Sequence, residues 1–328
     1  MTIAIAWVRR ITDCEELVFT TDSRLSGTAF DFDACPKVLP LPRSDCAIAF
    51  AGETDHAYPM MHQVAAAFDA HAPLRRRSMD LPAAKTHALK VIDAMGAAIR
   101  PSPLIHGVPD AQPSPAAEFL FGGYSWVRKE FLLWTIKYSS REKRHLAQPA
   151  PWIGIDTITG RVGLRKRRAR NFRPIGQVAI AGDQAPKARE ELANLIKTKV
   201  DASSFGKLDF EPFEVVRDML RDPSKAHTIG GPPQVVKVYQ YSDCVPLGVW
   251  WPDRGAGSPH LQGRKCFGYE RTERFFLDPD TLISSRLPEP RPDDRPPESQ
   301  ATGATVHQDD NTAWLPTDAA GKRSFGLM

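Results

Sequence analysis

The sequence has few cysteines, and none stands in a pattern that builds a site. Five cysteines are scattered over 328 residues, and no CxxC pair occurs. An odd number without paired spacing argues against a disulfide framework and against a zinc site, and it favours a reducing compartment. We therefore expect a cytoplasmic protein with no metal ion and no cofactor.

Long apolar runs and familiar catalytic motifs are also missing. No apolar stretch approaches the length of a membrane span, and the arginines of MTIAIAWVRR follow the short apolar run rather than precede it, unlike a secretory signal. The chain has no HExxH, GxSxG or GxxxxGK[ST], so the signatures of zinc proteases, serine hydrolases and P-loop proteins are absent. Cys14 and Cys46 have no identifiable partner for a role as nucleophiles. We expect no membrane association.

Excess charge is small, and most of it lies in one segment. The net charge is +4, and its main source is LRKRRARNFR, residues 164–173. Such a run can bind phosphates, but this one lacks interleaved aromatic side chains, and no nucleic-acid motif accompanies it. We expect a solvated hairpin or loop at 165–173, and nucleic acid is not an expected partner.

The hydrophobic pattern predicts strands and helices in alternating groups. Strands are predicted at 3–8, 16–21, 37–42, 45–52, 118–125, 130–139, 150–156, 177–183, 233–241 and 246–251. Thr54 is the expected N-cap of a first helix, Asp80 begins a second with Pro82 in its first turn, and two more helices follow Asp183 and cover 211–220. Residues 101–115 are expected to form a loop.

This order indicates a layered α+β protein. Two mainly antiparallel sheets stacked face to face, each covered by a helix pair, give a four-layer αββα sandwich. We expect one domain at 1–284, with a C-terminal strand extension from about residue 245. From residue 285 onward the chain is rich in proline and charge. A segment of this composition buries too little apolar surface to fold, so we expect a disordered tail at 285–328.

Four short pieces carry a resemblance to a known family. In order they are MTIAIAWV, TTDSRLSG, PKVLPL and AIAFAGETDHA. Together they resemble an N-terminal-nucleophile (Ntn) hydrolase of the proteasome β-subunit type. Two later pieces, EFLFGGYS and VAIAGDQAPKAREELANL, are similar to the central strand of that family and to its later strand-to-helix junction. The similarity covers most of residues 2–250, with specific motifs only in the first quarter.

The resemblance implies a catalytic role for four residues. Thr2 follows Met1 directly, and a small residue at position two permits removal of the methionine. The exposed α-amine then has a pKa of about 8, so one residue supplies both a hydroxyl nucleophile and a base. Lys37 is expected to favour the neutral amine and to stabilise the developing alkoxide, with Asp22 as its ion-pair partner. The N–H of Gly52 is the expected oxyanion donor.

Other positions are supporting assignments or departures from the family. Ser26 and Gly27 would pair with the substrate backbone as an added strand. Where the family has a serine that contacts the threonine amine, this chain has Asp183, which either caps its helix or contacts the amine. Pro232 and Pro233 stand near the position of a second supporting acid.

The plain alternative for these charged residues is a solvated surface. Asp22 and Arg24 would then form an ordinary surface ion pair, and Lys37 would extend along apolar surface with its ammonium in water. Arg24 is otherwise a candidate supporting residue of the site.

The functional hypothesis is therefore a threonine peptidase or amidase that forms an acyl-enzyme through Thr2. The alternative is a catalytically silent member of the same fold that acts as an assembly or interaction module. Relatives of the proteasome type form rings, so the resemblance also implies a homo-oligomer and a peptide or amide substrate.

Overall fold

A computed structural model describes residues 2–11, 14–26, 30–99, 117–202, 206–222, 224, 228–241, 243–270 and 272–287. The described residues within 2–267 and 272–287 belong to one compact unit, and residues 268–270 belong to a second. The expected loop at 101–115 lies outside the described residues. Of the tail expected at 285–328, residues 285 and 286 belong to the strand Ser284–Arg286, and the part from residue 288 onward lies outside the described residues.

The elements have the following bounds. The strands are β1 (Ala4–Ile11), β2 (Cys14–Thr21), β3 (Leu25–Ser26), β4 (Asp31–Phe32), β5 (Val38–Pro40), β6 (Cys46–Gly52), β7 (Ala117–Ser125), β8 (Glu130–Ser139), β9 (Arg144–Pro149), β10 (Trp152–Asp156), β11 (Val162–Arg165), β12 (Phe172–Ala181), β13 (Gln234–Tyr239), β14 (Cys244–Trp251), β15 (Ser258–Leu261), β16 (Arg264–Lys265), β17 (Phe275–Leu277) and β18 (Ser284–Arg286). The helices are α1 (Thr54–Ala70), α2 (Ala72–Arg75), α3 (Leu81–Ala98), α4 (Ala185–Ala202) and α5 (Glu211–Arg221).

The chain is an α+β protein with mainly antiparallel sheets, as its sequence predicts. An 11-stranded sheet contains the path β11-β10-β12-β1-β2-β13-β14-β15-β16, with β17 and β18 attached beside β14. A five-stranded sheet has the order β5-β6-β7-β8-β9, and β3 pairs with β4. The pairing of β14 with β17 is parallel.

Alternation along β1 shows how the core is divided. Ile5 and Trp7 belong to a cluster that includes side chains of α4 and α5. Ala4 and Ala6 belong to a second cluster with residues of the five-stranded sheet, among them Ala49. Because side chains of a strand alternate between its faces, β1 is buried on both sides, and alanines face the five-stranded sheet.

The other face of the five-stranded sheet packs against helices. Ile48 and Phe50 of β6 share a third cluster with Val64 of α1 and Ala88 of α3. Helices therefore cover both sheets on the faces that point away from the shared cluster, which makes the described chain a sheet-rich sandwich with few helices.

Several element boundaries differ from the sequence prediction. The first strand was expected to end at residue 8 but continues to Ile11, because Arg9 and Arg10 lie opposite Glu16 and Glu15 in β2 and form ion pairs with them. Thr54 is not the N-cap of α1; Glu53 occupies that position, and no side chain caps the helix.

Some elements are absent from the prediction altogether. They are α2 and the strands β3, β4, β9 and β11, whereas β15–β17 lie in the expected C-terminal strand extension, for which the sequence analysis sets no separate strand bounds. These elements are short, or polar on the exposed face, and therefore give little periodic signal. Asp80 precedes α3 as expected, with Pro82 in the first turn.

The basic run lies between β11 and β12 at the surface. Arg165, Lys166, Arg167, Arg168, Arg170 and Arg173 are all exposed, which confirms the expected solvated segment. Among the described helices, none combines the length and apolar character needed to cross a membrane.

Candidate functional site

Thr2 lies two residues before β1, and its side chain is part of a buried polar cluster. Thr2 is 2% exposed, and Lys37 Nζ donates a hydrogen bond of 3.1 Å to its Oγ1. Lys37 directly precedes β5 of the five-stranded sheet, so the contact joins the first strand of one sheet to the first strand of the other. An ammonium at this distance stabilises negative charge that develops on the hydroxyl oxygen.

The register of β1 and β2 brings Asp22 to the same place. Ala4 lies opposite Thr21, so the residue after β2 comes beside Ile3. Asp22 N donates to the carbonyl of Ile3 at 3.3 Å, and Ile3 N donates to Asp22 Oδ1 at 3.2 Å. Asp22, which directly follows β2, therefore lies beside the segment of Thr2 and Ile3 that leads into β1.

Lys37 and Asp22 form a fully buried ion pair. The ammonium lies 2.9 Å from Oδ1 and 3.0 Å from Oδ2, and both side chains are 0% exposed. Asp22 Oδ2 also accepts hydrogen bonds from two backbone N–H groups, that of Arg24 at 3.1 Å and that of Gly230 at 3.3 Å. Burial raises the pKa of the Asp22 carboxyl, and the Lys37 charge opposes that rise.

The surface alternative for these residues is wrong. Asp22 and Lys37 are buried, and the Arg24 guanidinium pairs with Asp33 at 2.7 Å instead of Asp22. A buried ammonium needs a carboxylate partner to offset its desolvation, and Asp22 supplies it. The Arg24 guanidinium therefore pairs with the segment after Asp22, while the Arg24 backbone N–H donates to Asp22 Oδ2, and a supporting role for Arg24 stays a prediction.

Asp183 contacts the nitrogen of Thr2. Thr2 N donates to Asp183 Oδ1 at 2.6 Å. Gln184 Nε2 donates to Asp183 Oδ2 at 3.0 Å and to Thr228 Oγ1 at 2.9 Å. Of the two roles considered for Asp183, a helix cap and a contact with position two, the described hydrogen bonds of its carboxylate support the second.

Two glycines with positive φ lie where strands of both sheets end. Gly52 ends β6 with φ 103°, and Gly182 follows β12 with φ 101°. A Cβ on Gly182 would lie 2.0 Å from the carbonyl oxygen of Thr2 and 3.4 Å from the Cβ of Ala51. Only glycine permits this conformation and this close approach, and the end of β6 therefore lies near Thr2.

Ser26, one of the two expected substrate contacts, makes no described contact with this cluster. Ser26 is exposed in β3, opposite Asp31 of β4. Gly27 lies outside the described residues. The cysteines considered as nucleophiles differ in exposure, because Cys14 is exposed and Cys46 is buried. Burial raises the pKa of the Cys46 thiol well above its usual value, and the thiol therefore stays protonated.

Gln234 is a site residue that the sequence analysis missed. Its Oε1 accepts the backbone N–H of Lys37 at 2.9 Å, and its Nε2 donates to Ser23 Oγ at 2.9 Å and to the carbonyl of Cys35 at 2.5 Å. Gln234 is 0% exposed. The signal in the sequence is the position of Gln234 itself, a polar residue directly before the predicted strand residues VVKV. A side-chain amide that is buried there needs hydrogen-bond partners.

The C-terminal strands contact the same region. Gln262 Nε2 donates to the carbonyl of Val38 at 3.1 Å, and a Cβ on Gly263 would lie 2.5 Å from Ser23 Oγ. The β15–β16 turn therefore packs against the residues that follow Asp22 and Lys37.

The cluster brings a hydroxyl, an ammonium and a carboxylate into one hydrogen-bonded chain. Such groups serve acyl transfer, in which an activated oxygen attacks a carbonyl and a cation stabilises the charge. No protein-family model matches the chain, and no curated protein matches it.

Proposed function

We propose that the chain is an N-terminal threonine hydrolase of the proteasome β-subunit type, a peptidase or amidase that forms an acyl-enzyme through Thr2. One observation carries the proposal. The Lys37 ammonium is hydrogen-bonded at once to Thr2 Oγ1 and to both oxygens of Asp22, with all three side chains buried. A purely structural ion pair does not require the hydroxyl of the second residue.

The reaction begins once Met1 has been removed. The neutral α-amine of Thr2 takes the hydroxyl proton as Oγ1 attacks the substrate carbonyl. Lys37 stabilises the charge on Oγ1, and Asp22 keeps the ammonium in place. The N–H of Gly52 is the proposed donor to the carbonyl oxygen. The amine proton passes to the leaving nitrogen, the C–N bond breaks, and water then hydrolyses the ester to free Thr2.

The layer order supports the same assignment. Helices α1 and α3 pack on the five-stranded sheet, α4 and α5 pack on the 11-stranded sheet, and a shared cluster of small residues joins the sheets. This order is what the four-layer αββα sandwich of an Ntn hydrolase requires. The start of β1 and the ends of β2, β6 and β12 then meet at one end of the sandwich.

A silent interaction module of the same fold is the second candidate. It is favoured by Asp183, an acid that stands where the resemblance implies a serine. It is also favoured by Pro232 and Pro233, which stand near the expected second acid. The two candidates differ in one property, since only the enzyme needs the hydroxyl of Thr2 and a free amine beside it.

The test compares amide hydrolysis by the purified chain and two alanine variants. Thr2→Ala removes the nucleophile and should abolish cleavage of a fluorogenic peptide panel. Thr86→Ala is the matched control, because Thr86 is on α3 and donates to the carbonyl of Pro82, and its activity should equal that of the parent. Equal turnover in Thr2→Ala and parent would refute the proposal. Absence of turnover and of covalent labelling in the parent would favour the silent module.

A further inference from the structure

A carboxylate faces the nitrogen that the proposed mechanism uses as its base. Asp183 Oδ1 accepts the Thr2 N–H at 2.6 Å. With Met1 attached this nitrogen is a peptide N–H, and removal of Met1 converts it into an α-amine on the same Cα. Gly182, with no Cβ, lets the turn that carries Asp183 pass against the Thr2 carbonyl, which fixes the distance between the two groups.

Neutral side chains orient this carboxylate. Gln184 Nε2 donates to Asp183 Oδ2 at 3.0 Å, and Thr228 Oγ1 donates to the same oxygen at 3.4 Å. Within the described ranges, no lysine or arginine forms an ion pair with Asp183. The two neutral donors bind Oδ2, and Oδ1 accepts the N–H of Thr2.

The other charges near Thr2 occur as pairs of opposite sign. Lys37 donates a hydrogen bond to the Thr2 hydroxyl, and its positive charge is offset by Asp22, whose two carboxylate oxygens both contact the ammonium. Glu118 Oε2 accepts the Gly182 N–H at 3.4 Å, and Lys137 lies 2.7 Å from the other oxygen of Glu118. Each of these pairs is close to neutral as a whole, so among the described residues the charge at the amine that has no ion-pair partner is that of Asp183.

We infer that Asp183 holds the α-amine of mature Thr2 in its charged form at neutral pH, which makes the proposed hydrolase an alkaline-active one. The inference rests on the proposed function. A carboxylate that accepts a hydrogen bond from an ammonium favours the charged form. As the pH rises, the ammonium gives its extra proton to hydroxide. The neutral amine is then free to take the proton of the Thr2 hydroxyl.

The size of the expected pKa shift of the Thr2 amine follows from the exposure of Asp183 to solvent. A free α-amine titrates at about 7.7–8.0, and a direct carboxylate contact moves such a group upward. Asp183 is exposed, and solvent screening keeps the shift near the lower end of the usual range, about half to one pH unit.

The amine is titrated directly in chains that begin at Thr2, released from an N-terminal fusion by cleavage before that residue. Trace acetic anhydride labels unprotonated amines over a pH series, and mass spectrometry of the N-terminal peptide gives the midpoint. We expect the parent midpoint to lie above about 8. The midpoint of Asp183→Asn and of Asp183→Ser should be lower by about half to one pH unit. Asp69→Asn, an exposed change on α1, is the matched control with the parent midpoint.

The outcomes separate this inference from the proposed function. Equal midpoints in the parent and both Asp183 variants, with far-UV circular dichroism showing folded chains, overturn the inference. The pH profile of turnover should move with the amine midpoint in the same variants. A Thr2→Ala variant that remains active refutes the proposed function, while the titration still decides the state of the amine. An inactive Thr2→Ala variant with unmoved Asp183 midpoints refutes the inference alone.

Discussion

The buried pair of Lys37 and Asp22 gives a stability prediction that needs no substrate. The two oxygens of Asp22 accept hydrogen bonds from the Lys37 ammonium and from the N–H groups of Ile3, Arg24 and Gly230. Asparagine at position 22 keeps one of the two oxygens. Its amide NH₂ replaces the other oxygen and therefore faces N–H donors. The substitution therefore leaves an ammonium buried without its counter-charge and also brings donors face to face.

The magnitude follows from the cost of breaking a buried pair. Removing one partner of such a pair destabilises a protein by about 3–5 kcal/mol, and we expect Asp22→Asn to fall in this range. Lys37→Met leaves the carboxylate its three backbone donors, so the expected cost is smaller, about 2–3 kcal/mol. The double variant removes both charges, and its cost should be less than the sum by about 2 kcal/mol.

The assay is urea unfolding followed by tryptophan fluorescence and far-UV circular dichroism. Asp280→Asn is the control, because Asp280 forms an ion pair with Arg221 that is partly open to solvent, and its expected cost is about 1 kcal/mol or less. If Asp22→Asn costs no more than Asp280→Asn, or if the costs of the two single changes simply add, the reasoning about the buried pair is refuted.

Three further predictions concern the same region. Gln234→Ala should lower stability by about 2–4 kcal/mol in urea unfolding, since three buried hydrogen bonds are lost; a cost under about 0.5 kcal/mol would contradict the role given to this amide. Iodoacetamide should label Cys14 but not Cys35 in the folded chain, because burial raises the pKa of Cys35 to about 11, and peptide mass spectrometry checks this. Burial also raises the pKa of Asp22, so turnover, which already falls below the amine midpoint, should show a second acid limb with a midpoint above about 3.9; a second limb at or below that value would argue against an ionised Asp22 in catalysis.

The central strands were predictable because their residues alternate between two buried faces. In residues 4–7 of β1 and along β6, large and small apolar side chains alternate, and the sequence therefore carries the period directly. The ends of such strands were less predictable. Arg9 and Arg10 indicate a turn by composition, but their partners in β2 hold them in the strand.

The ion pair of the candidate site was predictable, whereas its surroundings were not. Asp22 and Lys37 follow from the resemblance of local pieces to one family, and the structure has them in contact; their catalytic roles stay predictions. The contacts of Gln234 and Asp183 join residues about 200 and 180 positions apart. No local pattern encodes such a contact, because it depends on the register of strands that pair only in the folded chain.

The most direct test of the central claim is the mass of the mature chain before and after reaction with a peptide epoxyketone, an electrophile that bonds to a neighbouring hydroxyl and amine. We predict that the purified protein begins at Thr2, that one adduct forms on that residue, and that Thr2→Ala forms none. A chain that retains Met1, or an adduct that persists in Thr2→Ala, would contradict the account.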